Sequence, residues 1–234
     1  MTIEFGTPHR HYRVTDSTNE RARELIEAGA PGGTVVTAGE QTAGRGRRGR
    51  VWTAPEGKAL LYSAILRPLD ERHLLLPLCV PLAICAAAER LRPATKCAVK
   101  WPNDVWLEER KLAGVLIEAR PQDGWAVIGV GLNLAIEPHE FPADLRQPAT
   151  SLGGDITPEA ARREIDAQLT EWVVADETKI LTEWRRRDAL RGREIAWEEG
   201  SGIADGIDGR GNLVVVVPGG SRVSLGAGEV QLRL

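Results

Sequence analysis

The chain has 234 residues, a length that predicts one main domain with room for a small second one. Its residues are 42% apolar and 27% charged, which is ordinary for a globular protein. The net charge of −3 argues against a general nucleic-acid binder, because the surface of such proteins is usually basic. The most apolar stretch, Leu74–Ala88, is too short to span a membrane and is interrupted by prolines.

Two further features indicate the compartment. The N-terminus lacks the basic and apolar pattern of a signal peptide. Three cysteines, Cys79, Cys85 and Cys97, are an odd number without metal-ligand spacing, which is typical of buried reduced thiols. A reducing, cytoplasmic location is therefore expected.

The first half of the chain contains helix and strand patterns. Ser17 followed by Glu20 predicts a capping box at the start of the first helix. A short β-branched strand at 34–38 and a buried strand at 60–66 flank a loop rich in glycine and arginine. Pro81–Leu91 follows as an alanine-rich helix.

Four strand patterns come next, at residues 98–104, 105–107, 111–118 and 125–134. The second and third are expected to form a hairpin. Gly129 and Gly131 lie inside the last strand, where glycine indicates the close approach of a ligand or of backbone.

A proline-rich loop at 135–156 leads to a helix with Thr157 as its N-cap, which is expected to continue, with a break near Asp176, to about Arg187. Residues 192–234 contain ten glycines and short apolar runs, which predict a small all-β module of about five strands. The fold class expected is α+β: a mixed, largely antiparallel sheet with helices packed on one face, plus the β module. The expected domains are residues 1–188 and 189–234.

Residues 39–52 are dense in glycine and arginine. Glycine allows backbone to approach a ligand closely, and the guanidinium groups of Arg45, Arg47, Arg48 and Arg50 provide planar donors for phosphate or carboxylate. Ordering such a segment is costly in entropy. We therefore expect this arginine loop to settle on an anionic ligand.

Well-known nucleotide motifs match the arginine loop only in part. Gly39 and Gly44 have the spacing of a P-loop, but the Lys-Ser/Thr pair of that motif is missing. Residues 44–49 match the dinucleotide fingerprint, but Pro55 and Gly57 prevent the helix that must follow it. An RGG-like nucleic-acid tail is disfavoured because the loop is short and lies between two strands.

Several polar residues outside this loop each allow a structural and a functional interpretation. Lys100 and Lys111 are either solvated surface lysines or cations of a binding site. Asn133, at the end of the glycine-bearing strand, is either a turn former or a ligand contact. Ser17 is either only a helix cap, with Thr18 free to face a ligand, or itself part of a site.

In combination, five stretches resemble the catalytic core of biotin protein ligases. They occur in the order typical of that family: 16–19 (DSTN), 41–52 (QTAGRGRRGRVW), 100–104 (KWPND), 111–114 (KLAG) and 129–133 (GVGLN). The glycine-rich module is similar to the SH3-like C-terminal domain of these ligases. No helix-turn-helix precedes Asp16, so the chain resembles the monofunctional form without a DNA-binding domain.

The resemblance implies a two-step ligase reaction. Biotin and ATP form biotinyl-5′-AMP and pyrophosphate, and the adenylate then acylates one lysine of a biotin carboxyl carrier protein from acetyl-CoA carboxylase or another biotin-dependent carboxylase. Mg²⁺ is expected to enter with the phosphates, held by few protein ligands. Nucleic acid and membrane are not expected partners, and a homodimer is one of the oligomeric states known in the family.

The resemblance also implies roles for single residues. Lys111, Arg47 and Arg45 are the expected catalytic residues, because cations would stabilise the charge that shifts during attack on the α-phosphate. The expected biotin-binding residues are Ser17, Thr18, Asn19, Gln41, Gly44, Arg45, Gly46, Arg47, Lys111 and Gly114. The expected ATP- and adenylate-binding residues are Arg47, Arg48, Arg50, Trp52, Lys100, Asn103, Asp104, Lys111 and Asn133. Asp104 is equally compatible with a turn and with a group that binds metal or deprotonates the target lysine.

Two other functions compete with this one. A lipoate or octanoate protein ligase would share the fold and a site centred on a lysine. A non-catalytic nucleotide-binding module would use the arginine loop alone. Under the ligase interpretation, the arginine loop is expected to be mobile without ligands and to close over the adenylate, which excludes water.

Overall fold

The computed structural model of the chain describes residues 3–226, 228 and 230–232, so the expected outer domain limits at residues 1 and 234 lie outside the described part. Its main sheet contains β1 (His9–Thr15), β2 (Val35–Gln41), β3 (Ala59–Leu66), β4 (Cys97–Lys100), β5 (Asp104–Leu107), β6 (Arg110–Arg120) and β7 (Trp125–Asn133). The strand order is β1-β2-β3-β7-β6-β5-β4. Only β1 and β2 pair in parallel among these described strands, so the prediction of a mixed, largely antiparallel sheet is confirmed.

Within the described residues, four α-helices cover this sheet: α1 (Thr18–Glu27), α2 (Leu76–Leu91), α3 (Pro158–Trp172) and α4 (Glu177–Arg187). The layer that contains α2 and α3 packs on the face that carries Tyr62 and Ala64. Helix α1 lies on the opposite face, where Ala22 packs with Ile65. The helices were expected on one face only. Strand β3 is buried at all eight positions, as a strand covered on both faces must be.

The start of α1 differs from the predicted capping box. Ser17 occupies the N-cap position, but its side chain makes no capping hydrogen bond. Gln41 Oε1, from the end of β2, accepts from the Thr18 backbone N–H at 2.7 Å instead. A residue distant in sequence therefore caps α1 and ties its N-terminus to the beginning of the arginine loop.

Helix α2 also begins earlier than predicted, at Leu76 rather than Pro81. Pro77 lies in its first turn, where the missing N–H is tolerated, and Pro81 lies inside the helix. The break near Asp176 is confirmed: Asp176 is the N-cap of α4, and its side chain accepts from Lys179 N.

The C-terminal module is a five-stranded antiparallel sheet. Its strands are β8 (Glu194–Trp197), β9 (Gly200–Ile207), β10 (Leu213–Val216), β11 (Arg222–Leu225) and β12 (Gln231–Leu232), in the order β11-β10-β9-β8-β12. Trp101 Nε1 donates to the Gly211 carbonyl at 3.1 Å, and Leu213 belongs to the same apolar cluster as α2. The module therefore packs directly beside the strand that leads to Asn103 and Asp104. Within the described residues, no helix is long and apolar enough to cross a bilayer.

Candidate active site

A trough runs across the face of the main sheet that α1 covers in part. The strand register aligns Leu61, Gly131, Gly114 and Asp104 side by side across β3, β7, β6 and β5. Because direct cross-strand partners point to the same face, the two glycines leave a gap between Leu61 and Asp104. A cavity of about 480 Å³ opens over this trough.

The arginine loop forms a narrow hairpin at the rim of the cavity. The Trp52 N–H donates to the Gly44 carbonyl at 2.9 Å, and the Gly46 N–H donates to the Arg50 carbonyl at 2.7 Å. Its tip is a short 3₁₀ turn in which Arg48 has a φ of 54°. A Cβ at Gly44 would lie 2.3 Å from the Trp52 carbonyl oxygen, so this close crossing requires glycine.

Trp52 emerges from this hairpin and lies on the floor of the trough. A Cβ at Gly131 would lie 2.2 Å from the indole Cε2, and one at Gly114 would lie 3.0 Å from Cζ3. The Lys111 Nζ lies 5.6 Å from the ring centroid, in cation–π range. The Trp52 Nε1 is buried and makes no hydrogen bond within the described residues, so this donor can pair with an acceptor on a ligand.

Neutral hydrogen-bonding side chains line one end of the cavity: Ser17, Thr18, Asn19 and Gln41. Gln41 Oε1 accepts from both the backbone N–H and the hydroxyl of Thr18, at 2.7 and 3.0 Å. This orients the Gln41 amide nitrogen away from α1. The Ser17 side chain makes no capping hydrogen bond and lines the cavity, so its hydroxyl can contact a ligand.

Asp16 keeps a negative charge next to this neutral end. The Ser17 backbone N–H, 2.6 Å from Asp16 Oδ1, is the main cause that lowers the pKa of the carboxyl group. The Thr15 hydroxyl and Arg21 lower the pKa further. The carboxylate therefore helps to fix the backbone turn that presents Ser17.

Five basic side chains of the described residues also line the cavity: Arg45, Arg47, Arg50, Lys111 and Arg146. Lys111 Nζ lies 2.7 Å from Asp104 Oδ1, in a pair that is mostly buried. Arg47 Nη1 donates to Asn103 Oδ1 at 3.3 Å, and Arg45 Nη2 lies 2.8 Å from Glu20 Oε2. Asp104 begins strand β5 rather than forming a turn, so its carboxylate belongs to this cluster.

The structure brings most of the predicted site residues together around the cavity. The biotin-site residues Gly46 and Gly114 and the nucleotide-site residues Trp52, Asn103 and Asn133 all line it. Three predicted residues do not: Gly44, Arg48 and Lys100. Arg48 is exposed at the tip of the hairpin, and Lys100 is buried behind Gln147, with Nζ 3.4 Å from Gln147 Oε1.

Part of the wall comes from a segment that the sequence pattern does not indicate. Seven residues of the proline-rich loop line the cavity: Phe141, Pro142, Asp144, Leu145, Arg146, Gln147 and Ala149. Backbone hydrogen bonds from Lys111 N to Pro148 O and from Thr150 N to Lys111 O hold the end of this segment against β6. The one available signal was length, because a connection of more than 20 residues without helix or strand is uncommon unless it serves a site.

Comparison with known proteins agrees with this geometry. Residues 11–134 match the model of the biotin/lipoate A/B protein ligase family, and residues 192–233 match the biotin protein ligase C-terminal domain. The biotin–[acetyl-CoA-carboxylase] ligase of Mycobacterium tuberculosis is 34% identical over 251 aligned positions, which cover 97% of this chain and 91% of that protein. The bifunctional ligase/repressor BirA of Bacillus subtilis is 37% identical over 161 residues, 67% of this chain, and the chain spans about half of its length (48%).

Solved structures show the same relationship in three dimensions. The chain is similar to the biotin protein ligase from Aquifex aeolicus in complex with biotin and ATP, with 29% identity, a TM-score of 0.80 and coverage of 97% of this chain and 99% of that chain. The ligase of Leishmania major in complex with biotinyl-5-AMP has 25% identity and a TM-score of 0.69, with coverage of 95% and 100%. The chain belongs to the biotin/lipoate A/B protein ligase family.

Proposed function

We propose that this chain is an ATP-dependent biotin protein ligase, which forms biotinyl-5′-AMP and transfers biotin to a lysine of a biotin carboxyl carrier protein. The observation that carries the proposal is the make-up of the cavity wall, which combines a cluster of neutral hydrogen-bonding side chains with five cations among the described residues. The neutral cluster suits an uncharged ureido ring, and the cations suit a carboxylate next to phosphates. The relatives that are biotin ligases support the same substrates.

The catalytic roles follow from charge. Lys111, Arg47 and Arg45 are proposed to stabilise the negative charge that develops as the biotin carboxylate attacks the α-phosphate. No covalent enzyme intermediate is needed, because positioning and charge stabilisation suffice for such a reaction. Asp104 is proposed to keep Lys111 in place through its ion pair and to face the incoming target lysine.

The nucleotide is proposed to lie toward Asn133. Asn133 Nδ2 donates to the Thr150 carbonyl at 3.0 Å, which leaves Asn133 Oδ1 to accept from the adenine amino group. The described residues contain no group of three or more metal-ligating side chains, so Mg²⁺ would be held mainly by the phosphates. Arg47, Arg50 and Trp52 would line the phosphate and adenylate region.

The domain limits and the surroundings are proposals as well. A division into residues 1–188 and 189–234 is supported by the separate sheets and by the two family matches. A cytoplasmic site of action is supported by three free buried cysteines. A homodimer through the β1 edge of the main sheet would fit the family.

Radiolabelled pyrophosphate exchange tests the proposal and its alternatives. The chain is incubated with ATP and Mg²⁺ plus biotin, lipoate or octanoate. Exchange with biotin alone supports a biotin ligase, exchange with lipoate or octanoate supports the related ligase, and no exchange with any acid supports a non-catalytic binding module. Transfer is then measured by mass spectrometry as the addition of one biotin to an isolated carrier domain.

A further inference from the structure

Five polar side chains form a continuous hydrogen-bonded chain behind the neutral end of the cavity. Asn19 Nδ2 donates to Glu118 Oε2 at 2.7 Å, and Asn19 Oδ1 accepts from Ser63 Oγ at 2.6 Å. Ser63 Oγ lies 2.8 Å from Thr18 Oγ1, which in turn lies 3.0 Å from Gln41 Oε1. Thr18, Asn19 and Gln41 line the cavity, whereas Ser63 and Glu118 lie behind them.

The two ends of this chain determine which groups donate. The Glu118 carboxylate can only accept, so the Asn19 amide must turn its nitrogen toward Glu118 and its oxygen toward Ser63. At the other end, the Thr18 backbone N–H lies 2.7 Å from Gln41 Oε1, so Gln41 must also present its oxygen. Both ends therefore offer acceptors to the two hydroxyl groups between them.

This hydrogen-bonded chain has one proton fewer than it has contacts between oxygen atoms. Three oxygen–oxygen contacts connect Asn19 Oδ1 to Gln41 Oε1, but only the hydroxyls of Ser63 and Thr18 carry protons. One contact must therefore join two acceptors without a proton between them, which is unfavourable in a buried network. An N–H group supplied by a ligand would compensate this excess of acceptors.

We propose that Glu118 and Ser63 are positioning residues that make this wall selective for a ligand ring that donates N–H groups. The inference rests on the proposed function, in which that ring is the cyclic urea of biotin. Both residues act through Asn19 and Thr18 rather than by contact with the ligand. A ring with oxygen in place of an N–H group would bring an acceptor to a wall of acceptors and bind more weakly.

The variant Glu118→Gln tests this polarity. Glutamine can donate as well as accept, so Asn19 is free to reverse, to donate to Ser63 and to satisfy the chain internally. Calorimetry would give the Kd of biotin and of its two cyclic carbamate analogues, each with one ring N–H replaced by oxygen. At least one analogue is expected to bind the wild type about tenfold more weakly than biotin. In Glu118→Gln this ratio is expected to fall to about twofold or less, through weaker binding of biotin.

Two further variants separate this mechanism from a general charge effect. Glu20 is the closer carboxylate to Arg45 and is not part of the chain of contacts to Asn19, so Glu20→Gln should keep the full ratio. In a Ser63→Ala background the link from Asn19 to Thr18 is broken, so Glu118→Gln should no longer change the ratio.

The possible contrary results are distinct. An unchanged ratio in Glu118→Gln, an equal loss in Glu20→Gln, or an effect of Glu118→Gln that persists without the Ser63 hydroxyl would each overturn the inference. Failure of the wild type to bind biotin at all would instead overturn the proposed function.

Discussion

Lys111 links an acidic and an aromatic residue of the candidate site, because its Nζ contacts Asp104 and lies within cation–π range of Trp52. Lys111→Ala is expected to reduce pyrophosphate exchange by about 100-fold or more, a loss of about 2.7–4 kcal/mol of transition-state stabilisation. The variant also leaves the Asp104 carboxylate, with only 11% of its side chain exposed, without its cation. Lys96→Ala removes an exposed lysine between α2 and β4 and should leave exchange unchanged. Near-normal exchange in Lys111→Ala would contradict the assigned role.

Gly131 is required by the position of Trp52 rather than by a turn. In Gly131→Ala the new Cβ would meet the indole at 2.2 Å, so the ring must leave the trough. We expect at least a tenfold loss of affinity for biotinyl-5′-AMP, from an overpacking cost of about 1–3 kcal/mol, measured by calorimetry together with the near-ultraviolet circular dichroism of the tryptophan. Gly209→Ala is the matched control, because a Cβ there has no atom within 4 Å. Equal affinities in the two variants would show that Trp52 does not need this floor.

At the scale of elements, the arginine loop has an anchored base and an exposed tip. The backbone pairing of Arg45 with Val51 and the ion pair of Arg45 with Glu20 hold the base. The tip, Arg48–Arg50, is exposed, so trypsin is expected to cut there in the ligand-free chain. Biotin and ATP together should slow this cleavage, measured by mass spectrometry over time, whereas biotin with ADP is the control. An identical cleavage rate under both conditions would refute closure of the loop.

The sequence predicted those elements whose determinants are local. The hairpin of β5 and β6, the cap at Thr157, the helix break near Asp176 and the glycine-bearing β7 follow from turn chemistry and apolar spacing. Strand β1 was not predicted, because it is a polar edge strand and pairs in parallel with β2, more than 20 residues later. The expectation that the helices share one face does not hold for α1, because an amphipathic helix does not specify which sheet face it covers.

The residues of the candidate site were likewise predicted only in part. The stretches with unusual glycine, arginine and lysine content were identified, and the sheet register brings them together. The loop at 141–149 was not identified, because its contribution depends on backbone hydrogen bonds to Lys111 rather than on any periodic pattern. The ion pair of Arg45 joins it to Glu20, which is distant in sequence. The ion pair of Lys111 with Asp104 depends on the register of β5 and β6, which the sequence pattern does not determine.

At the scale of the whole molecule, Asp188 lies between α4 and β8, where the chain passes to the five-stranded C-terminal sheet. The Ala189 N–H donates to the Val99 carbonyl at 3.0 Å, and Asp188 Oδ2 is buried without a hydrogen-bond partner within the described residues. Burial raises the pKa of the Asp188 carboxyl group above its ordinary value of 3.8, although the Leu190 N–H opposes this shift. The junction therefore contains a carboxylate that is costly to ionise.

This raised pKa gives a pH dependence with a definite sign. The folded state binds the Asp188 proton more tightly than the unfolded state, so the contribution of Asp188 to the free energy of unfolding falls as pH rises from below 3.8 through the folded pKa. Asp188→Asn lacks this titration. The Tm of Asp188→Asn minus the Tm of the parent should therefore increase as the pH is raised from about 3 to about 7 in calorimetric scans. A difference that does not change with pH would contradict the assignment.

The row of glycines under Trp52 also decides how far the site can adapt. A floor made of Cα atoms has no rotamers with which to adjust, and its height is fixed by the hydrogen bonds between β3, β7 and β6. The indole lies directly against this floor and is the adjustable partner, because its side-chain torsions can change whereas the floor cannot. A flat group can replace the indole on this surface. A substituent that points down into the floor would clash with backbone, because the floor has no side chain that can move aside.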